Sequence, residues 1–251
     1  MNMLKDFDSN REKYRKKCFE FTAEKLRVSV NQDNFIVQAI SEINEIDKLV
    51  NMLSRRLNEH AGLYLPELYG AINDNKTFAR LISSKTKKEL MKDLKLEKTI
   101  GAELNKKDIE PIIALAKQIV SLFDLRDKTE NYLESILVKY LPNVNHILGT
   151  MIAAKLMLIA GSLKHLAMFP ASTVQMLGAE VALFRHLKTG AKCPKYGFLV
   201  IHPLVASAKP KDKGRFARML ADKVSIAAKV DYFKGEFIGD KLLEQLENKL
   251  K

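Results

Sequence analysis

The stretch Leu177–Gly190 reads LGAEVALFRHLKTG. It opens on a glycine turn, continues as an amphipathic run and ends in cations. Arg185 and Lys188 are three residues apart and so share one helix face, and Lys192 and Lys195 follow within a few residues. Arg215, Arg218 and Lys223 recur later at helical spacing. Cations gathered from a helix end, a loop and a second helix have the chemistry of a phosphate-binding surface. Tyr196 and Phe198 lie nearby; Tyr196 can stack on a base, whereas Phe198 is expected to pack inside. Glu180 falls in the first turn after Gly178, where a carboxylate favours a helix N-terminus.

Catalytic chemistry finds no comparable support. The five histidines are scattered, and no His-x-x-x-His or Cys-x-x-Cys pair offers metal-ligand spacing. Neither a Gly-x-Ser-x-Gly elbow nor a Gly-x-x-x-x-Gly-Lys loop is present. Gly-x-Gly-x-x-Gly is also missing. The sequence therefore implies no enzyme, no cofactor and no metal. His202, before Pro203, reads as a packed loop residue rather than a base.

Charge distribution supports the phosphate reading. Net charge is +12 over 251 residues. Residues 1–145 hold 25 cations and 22 acids, whereas residues 146–251 hold 17 and 8. Within 185–229 the count is eleven cations against Asp212 and Asp222 alone. A positive field concentrated on one part of the chain points to a polyanion, either nucleic acid or an acidic membrane surface. Cys18 and Cys193 are too few for a disulfide framework, which fits a reducing compartment. The opening MNMLKDFDSNREKYRKK has no apolar core of a signal peptide. The most apolar stretch, residues 147–169, is interrupted by Lys155, Lys164 and His165, which favours a buried helix over a membrane span.

The elements that must carry these residues read as helices. Ser9–Glu12 (SNRE) has the form of a capping box, with a helix expected to about Val28. Ala39, Ile43, Ile46, Val50, Leu53 and Leu57 then step by four and three, which is a coiled-coil seam. Leu115, Ile119, Leu122, Arg126, Thr129, Leu133, Ile136 and Tyr140 make a second seam, interrupted by the polar Arg126 and Thr129. Two such seams about fifty residues apart imply an antiparallel pair, with residues 62–108 as an inserted tip. The seam is longer than one intramolecular partner needs. Dimerisation through Ile43, Ile46, Val50, Leu53, Ile119 and Leu122 is therefore expected, with a closed hairpin as the alternative. Beyond Pro142, residues 146–169 suit the central helix of a compact domain. Ser172 and Gln175 (STVQ) form another candidate capping box, Gly190 a C-cap, and CPKYGFLVIHPLV holds a short β-prone run. In KGRFARMLADKVSIAAKVDYF, Phe216, Leu220, Val224 and Ala227-Ala228 face inward, and Arg215, Arg218, Lys223 and Lys229 face outward. A short helix over 240–250 closes the chain.

The motifs PASTVQMLGAE and ALFRHLKTG, within LPNVNHILGTMIAAKLMLIAGSLKHLAMFPASTVQMLGAEVALFRHLKTGAKCPKYGFLVIHPLV, strongly resemble the Nop-domain family. That family comprises archaeal and nucleolar core proteins of box C/D ribonucleoproteins and a spliceosomal relative, and the archaeal box C/D branch fits best. NQDNFIVQAISEINEIDKLVNMLSRRLNEHAGLYLPEL is similar to the family's coiled-coil domain. The resemblance implies an all-α fold: an N-terminal helix or linker (1–30), a dimerising antiparallel coiled coil (31–143) and a globular Nop domain (144–251). It implies binding to kink-turn guide RNA already held by a small kink-turn protein, in a particle that guides 2′-O-methylation. Ser172, Gln175, Gly178, Ala179 and Glu180 would meet RNA and protein together. Arg185, Lys188, Lys192, Lys195, Tyr196, Arg215 and Arg218 would meet RNA. The family motif has Lys after Gly-Ala-Glu, whereas this chain has Val181. The family's N-terminal domain that binds fibrillarin, the methyltransferase, has no counterpart in this sequence. The implied location is cytoplasmic in an archaeon and nucleolar in a eukaryote. The alternative is a coiled-coil module whose basic end binds an acidic membrane.

Overall fold

In the computed structural model, residues 2–248 are described, with the side chains of residues 2–9 and of residue 247 outside the description. All regular structure among them is helical. Packing divides the chain into two units, one formed by residues up to Val37 with Leu156 onward, the other by Gln38–Lys155. The boundary expected at 144 thus lies inside the second of these.

The second unit is built on α2 (Gln32–Tyr64), most of which lies in it, and α6 (Lys106–Tyr140). The two polar interruptions of the α6 seam both find partners on α2, which fixes how the helices pair. Arg126 Nε donates to Asp47 at 2.7 Å, and the Thr129 hydroxyl reaches Glu42 at 3.4 Å. As α2 advances from 42 to 47, its partners on α6 retreat from 129 to 126, so the two run antiparallel. Burial alone would lower the Arg126 pKa, but its hydrogen bonds and charge pairing with Asp47 and Glu130 outweigh that and raise it.

Between these helices lie α3 (Glu67–Ala71), α4 (Asn75–Ser84) and α5 (Lys87–Asp93). Asp74 caps α4 by accepting from the Thr77 N–H at 2.9 Å. A Thr86–Glu89 capping box, not singled out by the sequence, starts α5. The segment 62–108 is more than a tip, because α4 folds back along α6. Lys76 pairs with Asp127 at 2.6 Å and Arg80 with Asp124 at 3.9 Å. Phe78, Ala79 and Ile82 of α4 join Ile46, Val50, Leu57, Ile112, Ala116 and Ile119 in one buried core. This changes the reading of the dimerisation residues. Ile43, Ile46, Val50 and Ile119 are buried by the chain's own packing, and Leu53 and Leu122 are half-buried against it. Most of the residues expected at a dimer interface are thus already packed within the chain.

Four carboxylates of this unit sit below their usual pKa. Asp127 is lowered by the Lys76 hydrogen bond, and Asp74 by the Thr77 hydroxyl and N–H. Glu67 is lowered by the Ile100 N–H and the Thr99 hydroxyl, and Glu89 by the Thr86 N–H and hydroxyl. A group whose folded pKa is depressed contributes stability above its unfolded pKa and loses it as pH falls through the folded value. Thermal melts followed by circular dichroism should therefore hold level down to the ordinary carboxylate values, 4.5 for Glu and 3.8 for Asp, and decline below them. A melting temperature unchanged through that range would contradict these contacts.

In the first unit α1 (Asn2–Ser29) runs through residues 9–12, so SNRE is helix interior rather than a cap; the Ser9 side chain lies outside the described residues. The apolar stretch 146–169, which runs from the second unit into the first, is not one helix. It breaks into α7 (Pro142–Leu148), α8 (Thr150–Ala160) and α9 (Leu163–Met168) at Gly149 and Gly161, both at φ 74°. Glycine enters this left-handed region without the steric cost of a Cβ. Ser162 then caps α9 by accepting from the His165 N–H. The remaining elements are α10 (Ala171–Met176), α11 (Glu180–Thr189), a 3₁₀ turn (Phe198–Ile201), α12 (Pro203–Ala206), α13 (Lys213–Tyr232) and α14 (Gly239–Asn248). α13 is the hub, packing against α9, α10, α12, α14 and the 3₁₀ turn. Its Leu220, Val224, Ala227 and Ala228 are buried as their spacing predicts, with Phe216 half-buried. Lys223 departs from the expectation. It is buried, and its ammonium donates to Gln245 Oε1 of α14 at 2.6 Å.

Candidate nucleic-acid interface

The site begins where α10 ends. Pro170 occupies the N-cap of α10, so STVQ is not a capping box: Ser172 lies exposed in the first turn, and Gln175 is buried with another task. Gln175 Nε2 donates to the Lys195 carbonyl at 2.6 Å. The Gly197 N–H donates to the Gln175 carbonyl and the Phe198 N–H to the Leu177 carbonyl, each at 2.8 Å. These three bonds clip the strand-free segment 195–198 onto the turn that precedes α11. The clip explains why KYGFLV is no β-strand: its amide partners come from a helix end rather than a neighbouring strand.

Two glycines allow the close approach. Gly178 has φ 89°, and a Cβ there would meet the Phe198 ring at 2.7 Å. A Cβ on Gly197 would overlap the Leu177 carbonyl. Phe198, expected inside, is half-buried and packs on the face of Gly178. Glu180 Oε1 accepts from the Gly178 N–H at 2.7 Å and so braces the turn from within. Ala179 is the α11 N-cap. Gly190 ends α11 at φ 67°, donating to the His186 carbonyl at 2.9 Å, and the His186 ring Nδ1 bonds the Ala191 carbonyl. The basic loop is therefore anchored at one end to the C-terminus of α11 and at the other to the signature turn.

α11 itself has no buried residue. At 100° per residue, Leu187, Phe184, Lys188, Val181 and Arg185 fall within a single arc of roughly 160°. Val181, Phe184 and Leu187 are 75%, 60% and 69% exposed. The sequence presents this helix as an amphipathic run, and here its apolar residues face outward, Phe184 and Leu187 to one side of Lys188 and Val181 between Lys188 and Arg185. Phe184 and Leu187 were not among the candidate residues. The available signal was that the same short helix carried cations within its apolar arc.

Arg185, Lys188, Lys192, Lys195, Arg215 and Arg218 are all exposed, and none makes an ion pair among the described residues. Glu180 is occupied with Gly178 rather than with Arg185. Tyr196 is half-buried in the clipped segment. Gly214, at the start of α13, lies in van der Waals reach of Lys195, its Cβ position 3.6 Å from the lysine stem. This brings the first turn of α13, which carries Arg215, beside the basic loop. His202 is buried and accepts from the Leu204 N–H at 3.3 Å at the start of α12, a capping position. Among the described residues no group of His, Cys, Asp and Glu could hold a metal ion.

A family model described as "Nop: snoRNA binding domain, fibrillarin" matches residues 42–251. The chain belongs to the Nop family. It is 35% identical over 263 residues to an uncharacterised NOP5 family protein of Methanocaldococcus jannaschii, covering 96% of this chain and 63% of that protein. It is 36% identical to human nucleolar protein 56, covering 92% of this chain and 43% of that one. With nucleolar protein 58 of Yarrowia lipolytica the identity is 37%, over 84% and 44%. The chain thus spans less than two thirds of the length of these curated relatives. Among solved structures it resembles a chain of a fibrillarin/Nop5p complex, with a TM-score of 0.57, 25% identity, and coverage of 95% of this chain and 76% of that one. The all-α fold expected from the sequence holds. No described helix is long and apolar enough to cross a membrane.

Exposure of Val181 bears on the departure from the Nop motif. A buried position would make Lys costly there; an exposed one beside Arg185 has room for a cation. Val181→Lys should leave the melting temperature within about 2 °C of wild type, as surface changes do. It should strengthen binding to the RNA particle several-fold, since a charge-assisted contact adds on the order of 1 kcal/mol net. Titration with labelled RNA and a thermal melt check both halves.

Proposed function

We propose that this chain is a non-enzymatic scaffold of a box C/D ribonucleoprotein that guides 2′-O-methylation, and that α11 with the clipped loop 190–198 grips kink-turn RNA together with its small bound protein. The observation that carries the reading is the mixed face of α11. Val181, Phe184 and Leu187 offer apolar surface to a protein, and Arg185 and Lys188, with Lys192 and Lys195 on the loop, offer unpaired charge to phosphates. Neither half is large, so tight binding requires both at once.

Ser172, Gly178, Ala179 and Glu180 belong to this composite face, and Gln175 acts beneath it by holding the loop. Arg215 and Arg218 on α13 extend the cationic rim. The particle's fibrillarin would join through parts of a longer protein such as the relatives have. A homodimer would use side chains left outside the closed α2–α6 seam: Leu49 and Met52 on α2, and Leu125, Tyr132 and Val138 on α6, all between 44% and 60% exposed. The setting would be the cytoplasm of an archaeon or the nucleolus of a eukaryote.

The test is an electrophoretic shift on kink-turn RNA with and without its kink-turn protein. Bare RNA should bind weakly and with steep salt dependence. Loaded RNA should bind at least tenfold more tightly, and equal affinity in both cases would overturn the composite face. One alternative has a specific observation in its favour, because exposed apolar residues beside cations also suit an anionic lipid surface. Flotation with phosphatidylserine vesicles is expected to leave the chain unbound; co-flotation lost in Phe184→Gln would replace the RNA reading with the lipid one.

A further inference from the structure

The second unit holds a cleft that the proposed function does not use. It measures about 670 Å³ and is lined by Tyr64, Lys87, Lys88, Met91, Lys98 and Thr99, with Gly101, Glu103, Leu104 and Ile109 completing the wall. The volume falls within the range of small-molecule sites, about 300–1,000 Å³. Its chemistry is mixed. Met91, Leu104 and Ile109 supply apolar wall, Tyr64 an aromatic ring, and three lysines against one glutamate a net positive charge.

One wall is unusually well tied for a surface loop. Glu67 accepts from the Thr99 hydroxyl at 2.8 Å and from the Ile100 N–H at 2.9 Å. The Ala102 N–H donates to the Leu63 carbonyl at 2.9 Å. The Lys87 ammonium donates to the carbonyls of Gly101 at 3.2 Å and Ala102 at 2.9 Å, and stands 5.0 Å from the Tyr64 ring centroid. Gly101 is where the loop touches α2, since a Cβ there would overlap the Tyr64 carbonyl. Lys87 is thus consumed in holding the wall. Lys88 and Lys98 are exposed at the cleft with no hydrogen bond or ion pair among the described residues.

We propose that this cleft binds a nucleotide: a nucleoside carrying a phosphate, either free or as an unpaired residue of an RNA strand. Lys88 and Lys98 are compact, unpaired point charges, and lysine binds phosphate in this way. The Met91–Leu104–Ile109 wall takes the flat apolar surface of a base. Glu103 accepts from an exocyclic amine or a ribose hydroxyl, a role that a simple polyanion would leave unfilled and repelled. The pre-tied loop lowers the ordering cost on binding.

Amide-resolved NMR titration of the intact chain tests this. The probes are the four nucleoside 5′-monophosphates, adenosine, inorganic phosphate and a single-stranded hexanucleotide of RNA. At least one monophosphate or the hexanucleotide should shift amides in 87–91 and 98–104. Adenosine and phosphate should each bind at least tenfold more weakly. Binding by a monophosphate means that a free nucleotide suffices, and binding by the hexanucleotide alone assigns the cleft to an RNA strand. Lys88→Ala/Lys98→Ala should weaken the response roughly tenfold or more, as loss of charge-assisted contacts does, with the melting temperature unchanged because neither side chain has a partner to lose. The kink-turn titration at α11 should be unaffected by that variant, which separates the two sites. Absence of shifts in the cleft with every probe, equal binding of inorganic phosphate, or a double variant that binds like wild type would overturn the assignment.

Discussion

Replacing Phe184 and Leu187 together by Gln is expected to weaken capture of protein-loaded kink-turn RNA by roughly a hundredfold to a thousandfold. Both side chains are more than half exposed on a helix with no buried residue, so the fold loses little. Gln keeps helix propensity close to that of Leu, and surface changes of this kind stay within about 0.5 kcal/mol. At a composite interface, however, two apolar anchors at its centre are each worth about 2 kcal/mol. The loss should be the same at low and high salt, because no counterion is involved. Arg185→Ala and Lys188→Ala should behave differently. Each removes about one phosphate contact and flattens the slope of log affinity against log salt by roughly 0.7 to 0.9. Fluorescence titration at two salt concentrations separates the two classes. Binding of the double variant within threefold of wild type, with a normal melt, would move the interface off α11.

The largest stability effect is expected at Ile46. Its side chain is 4% exposed, in one core with Val50, Leu57, Ile112, Ala116, Ile119 and the α4 residues Phe78, Ala79 and Ile82. Ile46→Asp leaves a carboxyl there with no partner of opposite charge in that core. The cost is about 4–5 kcal/mol, from lost apolar burial and from desolvating the acid. For a chain of this size that lowers the melting temperature by roughly 10–20 °C. Leu122→Asp, at a half-buried position, should cost less than half as much. Differential scanning calorimetry that found the two variants equally stable would mean the seam is open, with its side chains serving a second copy. Sedimentation of the same samples reports on association separately: Ile46→Asp should act through folding, whereas Leu125→Asp should lower self-association without lowering the melt.

Features that depend on local periodicity and on single special residues were legible before any fold was known. The 4,3 spacing of Ile43, Ile46, Val50 and Leu57 required one apolar face on a long helix, and that face is buried. Gly190 stops α11 because only a residue tolerant of positive φ ends a helix that way. The cations of 185–195 were visible by type alone, and the absence of catalytic spacing was equally plain. Tertiary structure decided what covers each face, because periodicity marks a stripe as apolar without naming its partner. Arg126 and Thr129 looked like faults in a seam until Asp47 and Glu42 came opposite them. Lys223 sits at an outward-looking helical position and is buried because α14 packs over it with Gln245. α4 lies along α6 because Phe78, Ala79 and Ile82 bury against Ile112, Ala116 and Ile119, with Lys76 and Arg80 meeting Asp127 and Asp124 at the rim, across a sequence gap that no local pattern reads. The apolar ridge of α11 stays in solvent for the converse reason: residues 195–198 clip to the turn before the helix, and the core of the unit closes around α13.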